Sequence, residues 1–319
     1  MTSMLDFYRK HGISPVHQDI SDLPAHFARR AALYRALGLP PIAFQDKSVL
    51  EVGPGSGQNA LYIRSLGPDE HFLVEPNHAG VLACRGLGFS VAACSIEECT
   101  FLSSDIVLCE GVLGLAGGDA SDILEACAKH VDVGGVLVIT CIDAISDHSE
   151  VVRRAMANRL VNDSMSIAEQ LDILRPVFTP HLATLKGMTR SVDDWIIDNL
   201  LNPASIGPTF SIPDACAQLE GRFTVLGCSP RFLMDWRWYK ESDSSNQWAI
   251  DSYWQQAHNL LDYRVVEPAR DEADNRRLMT ECEQTRIDVR NGQVPTQAHR
   301  YAEPSWFGRG QQYLSFVRL

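Results

Sequence analysis

No stretch of this 319-residue sequence is apolar for about 18 consecutive residues, so a helix that spans a bilayer is not expected. The opening residues, Met1 to Gly12, have no apolar core after their first charges, which excludes the pattern of a secretory leader. Positive charge is also short. Twenty-eight Lys+Arg face 40 Asp+Glu, a net of -12, whereas a protein that grips nucleic-acid phosphates needs a basic face. The nine cysteines, at 84, 94, 99, 109, 127, 141, 216, 228 and 282, form no C-x-x-C pair. A zinc ribbon and a thioredoxin-like motif are thereby excluded, and no metal is expected. Their odd number and apolar neighbours (Val107-Leu108-Cys109, for instance) suggest reduced, buried thiols and a cytoplasmic location. There is no internal repeat and no low-complexity run. What remains is the composition of a globular protein, 45 % hydrophobic and 21 % charged, which excludes a disordered or collagen-like chain. The length fits two domains, or one with large insertions.

The charge is divided unevenly. Residues 1–150 hold 9 Lys+Arg and 19 Asp+Glu, a net of -10, while residues 151–319 hold 19 and 21, a net of -2. The two halves differ in pattern as well. In the first, short apolar runs alternate with helical ones. Strands are expected at 47–53, 71–75, 89–94, 105–109 and 136–142, and helices at 58–66, 79–87 and 120–131, with glycines or prolines between them. Continuous Val/Ile/Leu strands separated by helices predict a doubly wound α/β fold with a mostly parallel sheet covered on both faces. Residues 151–220 read as largely helical, with loops at Pro176, Pro180, Pro203 and Pro208. A strand returns at 223–228, residues 245–290 read as two helices broken near Pro268, and 312–319 read as a last strand.

The most informative stretch is Leu50-Glu51-Val52-Gly53-Pro54-Gly55-Ser56-Gly57-Gln58-Asn59, which ends the first strand and opens the first helix. Glycines there let the backbone turn sharply and approach a ligand, and the helix start adds free N–H groups and a positive dipole end. A dinucleotide fold wants G-x-G-x-x-G, but the third glycine position counted from Gly53 is Gln58. This disfavours a nicotinamide dehydrogenase. Glu51 would also repel a pyrophosphate and would suit a ligand with a cationic amine.

Acidic-x-Gly-x-Gly-x-Gly after a first strand resembles the first motif of the class I S-adenosylmethionine-dependent methyltransferases. That resemblance implies a mostly parallel seven-stranded sheet, Rossmann-like, with S-adenosyl-L-methionine as cofactor. Glu51, Gly53, Pro54, Gly55 and Gly57 match the motif itself. Glu75, followed by Pro76, lies 24 residues after Glu51. It matches the family's acid that holds both ribose hydroxyls, since a carboxylate can accept two hydrogen bonds at once. Ser95 and Ile96 match positions that flank the adenine, where the family often has Asp in place of Ser95. Glu110 and Gly111 match the position lining the methionine moiety and the point of methyl transfer. Gly134-Gly135-Val136-Leu137 resembles the entry to the fifth strand, with Val133 where the family has proline, and Gly308 to Val317 resembles the final hairpin and antiparallel strand. The likeness covers 45–142 closely, and 223–230 and 306–319 more loosely. It implies a cofactor domain of 45–142, 221–235 and 306–319, a cap of 1–44, and helical insertions at 143–220 and 236–305 around the substrate.

The substrate side is less legible. The sulfonium methyl of such a cofactor is already activated, so the protein must mainly align the acceptor and exclude water. A base is needed only for an acceptor protonated at working pH. Three segments could supply contacts. Tyr8, His11, His17 and Asp19 lie in the N-terminal one, although a lone His is more often structural than catalytic. His181, Arg190, Trp195, Asp198 and Asn199 lie in the second, where an ordinary amphipathic helix would explain Asp194, Trp195 and Asp198 equally well. Arg231, with Trp236 and Trp238, lies in the third. His17, His181 and Arg190 are the catalytic candidates. All six tryptophans follow residue 190, and packing explains them more readily than cation–π binding does. The expectation is a methyltransferase with a small-molecule acceptor, without nucleic-acid or membrane partners and with a homodimer left open. The alternatives are a methyltransferase on RNA, for which Arg153, Arg154 and Arg159 offer a local basic patch, one on protein, or a non-catalytic cofactor-binding module.

Overall fold

A computed structural model describes residues 4–14, 16–100, 103–115, 120–185, 187–293 and 305–319. Residues 1–3 and 15 of the expected cap and residues 294–304 of the second expected insertion lie outside the described residues. Strands are β1 (Ser48–Val52), β2 (Glu70–Val74), β3 (Val91–Ala92), β4 (Ser104–Cys109), β5 (Val131–Cys141), β6 (Phe223–Ser229) and β7 (Gln312–Arg318). Helices are α1 (Met4–His11), α2 (Leu23–Ala36), α3 (Gln58–Ser65), α4 (His78–Gly86), α5 (Ala120–Lys129), α6 (His148–Ala157), α7 (Ile167–Leu182), α8 (Val192–Ile196), α9 (Ile212–Leu219), α10 (Gln247–Gln256) and α11 (Glu272–Arg290).

Among the described residues the strands form one seven-stranded sheet in the order β3-β2-β1-β4-β5-β7-β6. β1 to β5 are mutually parallel, and β7 runs antiparallel to both β5 and β6. β1 and β4 are almost wholly buried, as strands covered on both faces must be, and this is why they lack apolar/polar alternation. The core on one side joins Val49, Ile106, Leu108 and Val138 of the strands to Tyr34 of α2, to Leu37 at its C-terminal cap and to Tyr62 and Ile63 of α3. Each fully buried Leu or Ile of this kind contributes about 1.5–3 kcal/mol. At the β6 edge the buried Asn246 stands in for a further strand. Its Oδ1 accepts from Val225 N at 2.9 Å and its Nδ2 donates to Phe223 O at 2.8 Å, which satisfies an otherwise open edge.

The chain divides into two compact units. The sheet unit comprises Ile20–Ile142, Thr209–Trp254 and Gln311–Leu319; the helical unit comprises Met1–Asp19, Asp143–Pro208 and Gln255–Gly310. The expected cap of 1–44 is therefore split at Asp19, because α2 and its C-terminal cap pack Tyr34 and Leu37 into the sheet's core. Residues 236–254 likewise belong to the sheet unit, anchored by Asn246. The helical unit has its own apolar centre, made by Ala157, Leu174, Phe178, Leu182, Trp195, Ile196 and Leu200.

Three local expectations are corrected. Pro176 and Pro180 do not open loops; both lie inside α7. They are four residues apart on the exposed side of that helix, where water can serve the carbonyls they leave without a donor, while Leu174, Phe178 and Leu182 bury the opposite stripe. Gly134 and Gly135 are not a turn before β5 but lie within it, where the pairing with β4 slips between Ser104↔Val131 and Ile106↔Val136. A Cβ on Gly135 would stand 2.7 Å from Asp105 O, so the bulge needs glycine there. The strand expected at 89–94 shortens to Val91–Ala92.

Candidate functional site

In the sheet unit, β1 ends in a loop whose three glycines, Gly53, Gly55 and Gly57, all take positive φ (66°, 58° and 82°). A side chain at Gly53 would be strained by φ and would meet Val112 at 2.6 Å. Directly beside the loop stands Glu75, buried at the end of β2. Its Oε2 accepts from Gly55 N at 2.9 Å and its Oε1 from Asn77 N at 2.8 Å. Burial raises the Glu75 pKa, and these two backbone donors pull the other way. A carboxylate has about four acceptor positions, so each oxygen keeps capacity for another donor. Gly80, in the first turns of α4, makes this approach feasible: a Cβ there would sit 2.8 Å from Gly55 O and 2.9 Å from Glu75 Cγ. Cys84 closes the underside of the loop, donating to Gly55 O at 3.4 Å. Its thiol is pushed up to about 12 by burial and by the charges of Glu75 and Glu51, so it is no nucleophile. In the first turn of α3, Asn59 has a buried Oδ1 with no hydrogen-bond partner.

Glu51 is buried and its Oε2 lies 3.1 Å from His71 Nε2. Glu110, just past β4, is gripped by α2. Arg30 donates to both its oxygens, at 2.6 and 2.7 Å, and Tyr34 donates to Oε1. Burial pushes the Tyr34 hydroxyl well up and the Tyr313 hydroxyl up to about 12, and the Glu110 charge adds to both. Gly111 N donates to Thr140 Oγ1 at 2.7 Å, which ties the turn after β4 to β5. Ile96 is buried, and Ser95 N donates to Glu98 Oε2 at 3.1 Å.

In the helical unit, Asp198 is a buried hub. Arg190 donates to its Oδ2 at 2.6 Å and Tyr8 donates to its Oδ1. Arg153, 2 % exposed, donates to His181 Nε2 at 3.1 Å, to Glu150 Oε1 at 2.5 Å, to Ser149 Oγ at 3.2 Å and to the Trp306 carbonyl. Burial, opposed by Arg153 and reinforced by Asp147, raises Glu150 to about 7. Burial likewise raises Asp147, whose partner is Arg286. A raised carboxyl pKa contributes stability that is full below the unfolded value and is lost as pH rises through the folded one. For Glu150 that window runs from 4.5 to about 7. The melting temperature is expected to fall across it, and Glu150→Gln to flatten the slope; an unchanged slope in differential scanning calorimetry would contradict this assignment.

No protein-family model matches the chain, and no curated protein matches it. Solved structures do match. The N-methyltransferase NodS from Bradyrhizobium japonicum WM9, in complex with S-adenosyl-L-homocysteine, is 18 % identical over 43 % of this chain and 74 % of its own, with a TM-score of 0.35. PKMT2 from Rickettsia typhi, in complex with AdoHcy, is 12 % identical over 96 % of this chain, with a TM-score of 0.48. The match takes in 54 % of the PKMT2 chain. The 1,6-didemethyltoxoflavin-N1-methyltransferase of Burkholderia thailandensis, with bound 1,6-didemethyltoxoflavin and S-adenosylhomocysteine, is 19 % identical over 39 % of this chain and 56 % of that one, with a TM-score of 0.30. With identities below 20 % and TM-scores below 0.5 these matches carry no assignment of their own; it rests on this chain's own strand order, with β7 inserted antiparallel between β5 and β6.

The fold is that of the class I S-adenosylmethionine-dependent methyltransferases.

Within that fold, Glu51 lies in β1, and the glycine loop, Glu75 with Pro76, Ser95-Ile96 and Glu110-Gly111 follow the strands after which the sequence placed them. The substrate candidates divide. Tyr8, Arg190 and Asp198 come together as one hydrogen-bonded group, and Gln18 and Asp19 pair with the backbone at Arg190 and Thr189. His11 and His17 are exposed, and the His11 ring rests on Phe7. Trp195 is a core residue, 6 % exposed and packed on Phe178, so it offers no surface to a substrate. Asn199, in the turn that continues α8, spends its amide on Trp195 O. Arg231 donates to Arg35 O in the sheet unit, where it caps α2. Trp236 and Trp238, expected to pack, are 84 % and 56 % exposed. The basic patch is also corrected. Arg153 is buried, and Arg154 donates inward to Asn199 O, Asn202 O and Ser205. The sequence reading missed Arg30, Tyr34 and Tyr313; the one available signal was the i, i+4 spacing that puts Arg30 and Tyr34 on one face of α2.

Proposed function

We propose that this protein is a methyltransferase that uses S-adenosyl-L-methionine and methylates a small molecule. The observation that carries the reading is Glu75: a buried carboxylate fixed by two backbone N–H groups beside a left-handed glycine loop, with acceptor capacity to spare. The residues present fit the cofactor. Glu75 suits a vicinal diol, the loop from Gly53 to Gly57 admits close backbone approach, and Asn59 holds an acceptor in need of a donor. Glu51 keeps its Oε1 for a cationic amine, while Oε2 faces His71. When bound, the cofactor supplies a methyl group already activated by its sulfonium. Glu110, clamped by Arg30 and Tyr34, is held as a positioned anion rather than a mobile base.

The small-molecule part of the reading is supported by the loss of the basic patch, since Arg153 and Arg154 are spent inside the helical unit. No helix among the described residues is long and apolar enough to cross a membrane. The test is transfer of labelled methyl from S-adenosylmethionine to a small-metabolite extract, to bulk tRNA and to bulk protein. Label in the metabolite fraction alone is expected. Label in the RNA or protein fraction would transfer the acceptor to that class, and cofactor binding without transfer to any fraction would leave a binding module.

A further inference from the structure

We infer that the helical unit contains a binding site for a neutral, flat aromatic small molecule, in the cavity walled by His181, Trp306 and Phe307. This cavity has a volume of about 420 Å³, within the size range of small-molecule sites. Val177 and Phe178 of α7 add apolar wall, and Thr184 adds a hydroxyl. The His181 ring stands edge-on to Trp306 at 5.4 Å and to Phe307 at 5.9 Å. Arg264 lies over the Phe307 ring at 3.8 Å, with its own charge paired to Asp262. Aromatic walls of this kind favour an aromatic guest through edge and offset contacts.

Arg153 sets the polarity of the site. A guanidinium only donates, so its Nε–H fixes His181 Nε2 as the lone-pair nitrogen. The neutral imidazole therefore carries its proton on Nδ1, and the donor it keeps is Nδ1–H. Burial and the Arg153 charge both lower the His181 pKa, which keeps the ring neutral. The same guanidinium holds the Trp306 carbonyl, so one buried side chain positions two walls. Its Nη1 hydrogens go to Ser149 and Glu150, and its charge is paired with Glu150. With His181 neutral, no described residue lining the cavity is cationic, so a carboxylate ligand would find no counter-charge in its walls, whereas a neutral ring bearing an oxygen acceptor matches them. Binding at this site needs no cofactor and stands apart from the methyltransferase reading; only the further step of calling the ligand the methyl acceptor rests on that reading.

The test is isothermal titration of the full chain, without cofactor, with 2-naphthol, 2-naphthoate and cyclohexanol. One saturable site for 2-naphthol is expected. 2-Naphthoate should bind at least about tenfold more weakly, because its charge would be desolvated without a partner. Cyclohexanol should also be weaker, lacking the flat ring. Thr184→Trp, at an exposed position of the wall, should fill the cavity and cost 2-naphthol at least about tenfold in affinity without touching the core. His181→Phe should weaken 2-naphthol but not naphthalene. Absence of saturable 2-naphthol binding would overturn the inference. So would equal binding of 2-naphthoate, or undiminished binding by Thr184→Trp. Failure of cofactor binding would touch only the methyltransferase reading.

Discussion

Glu75→Ala is expected to weaken S-adenosylhomocysteine binding by about two orders of magnitude. Two hydrogen bonds to a charged acceptor are lost together, and such bonds contribute roughly 1.5–3 kcal/mol each. The substitution also removes the acceptor for Gly55 N and Asn77 N, so the loop itself loses its tether. Glu75→Gln should fall between the two, because its single carbonyl oxygen can serve only part of the set. The pH dependence follows from the same atom. Burial raises the Glu75 pKa, and a protonated acid accepts fewer hydrogen bonds, so affinity should decline as pH falls through that raised value. Calorimetry of both variants beside thermal melts separates lost contacts from a lost fold. Unchanged affinity in Glu75→Ala would remove this carboxylate from the site.

The second large effect is on stability. Arg30→Met should destabilise the sheet unit by about 3–5 kcal/mol, because it leaves the Glu110 carboxylate buried with no counter-charge. The side chains of this pair are only 9 % and 13 % exposed, so solvent screens little of the loss. Arg30→Met combined with Glu110→Gln should recover much of it, since no unpaired charge then remains. A double-mutant cycle in urea isolates the coupling between the two residues. A single-variant loss below about 1 kcal/mol would place the pair among ordinary surface bridges. The charge of Arg30 opposes its burial, and Glu110 more than offsets that cost, which raises the Arg30 pKa. Arg30 therefore keeps its charge despite its burial.

Much of the sheet could be read in the sequence because its signals are local. Apolar runs such as Asp105 to Cys109 were each followed by a glycine, a proline or a change of period. The bulge at Gly134-Gly135 could not be read, because the same two glycines serve a turn as well as a register slip. Pro176 and Pro180 misled for a related reason. Proline cost is judged by the donor it removes, and that cost is small where the freed carbonyls face water. The glycine loop and its approach to Glu75 were legible through spacing along one chain segment, Glu51 to Glu75. The hydrogen-bonded group in the helical unit was not. Tyr8 and Asp198 lie 190 residues apart, and no local pattern joins them. Arg30 was invisible because its role depends on α2 docking against the sheet, which a helix pattern alone does not specify. The charge division fared differently. Three of the acids in the -10 half are Glu51, Glu75 and Glu110, while in the near-neutral half Arg153, Arg190 and Arg286 are each paired with an acid. Whole-chain charge therefore says little about what the helical unit binds.

The central claim is that the loop after β1 and Glu75 together hold S-adenosylmethionine. Titration calorimetry of the wild-type chain with S-adenosylhomocysteine, and separately with NADH, tests it most directly. Saturable 1:1 binding of S-adenosylhomocysteine with no heat from NADH is the expected result. No binding of S-adenosylhomocysteine by folded protein, or preference for NADH, would contradict it.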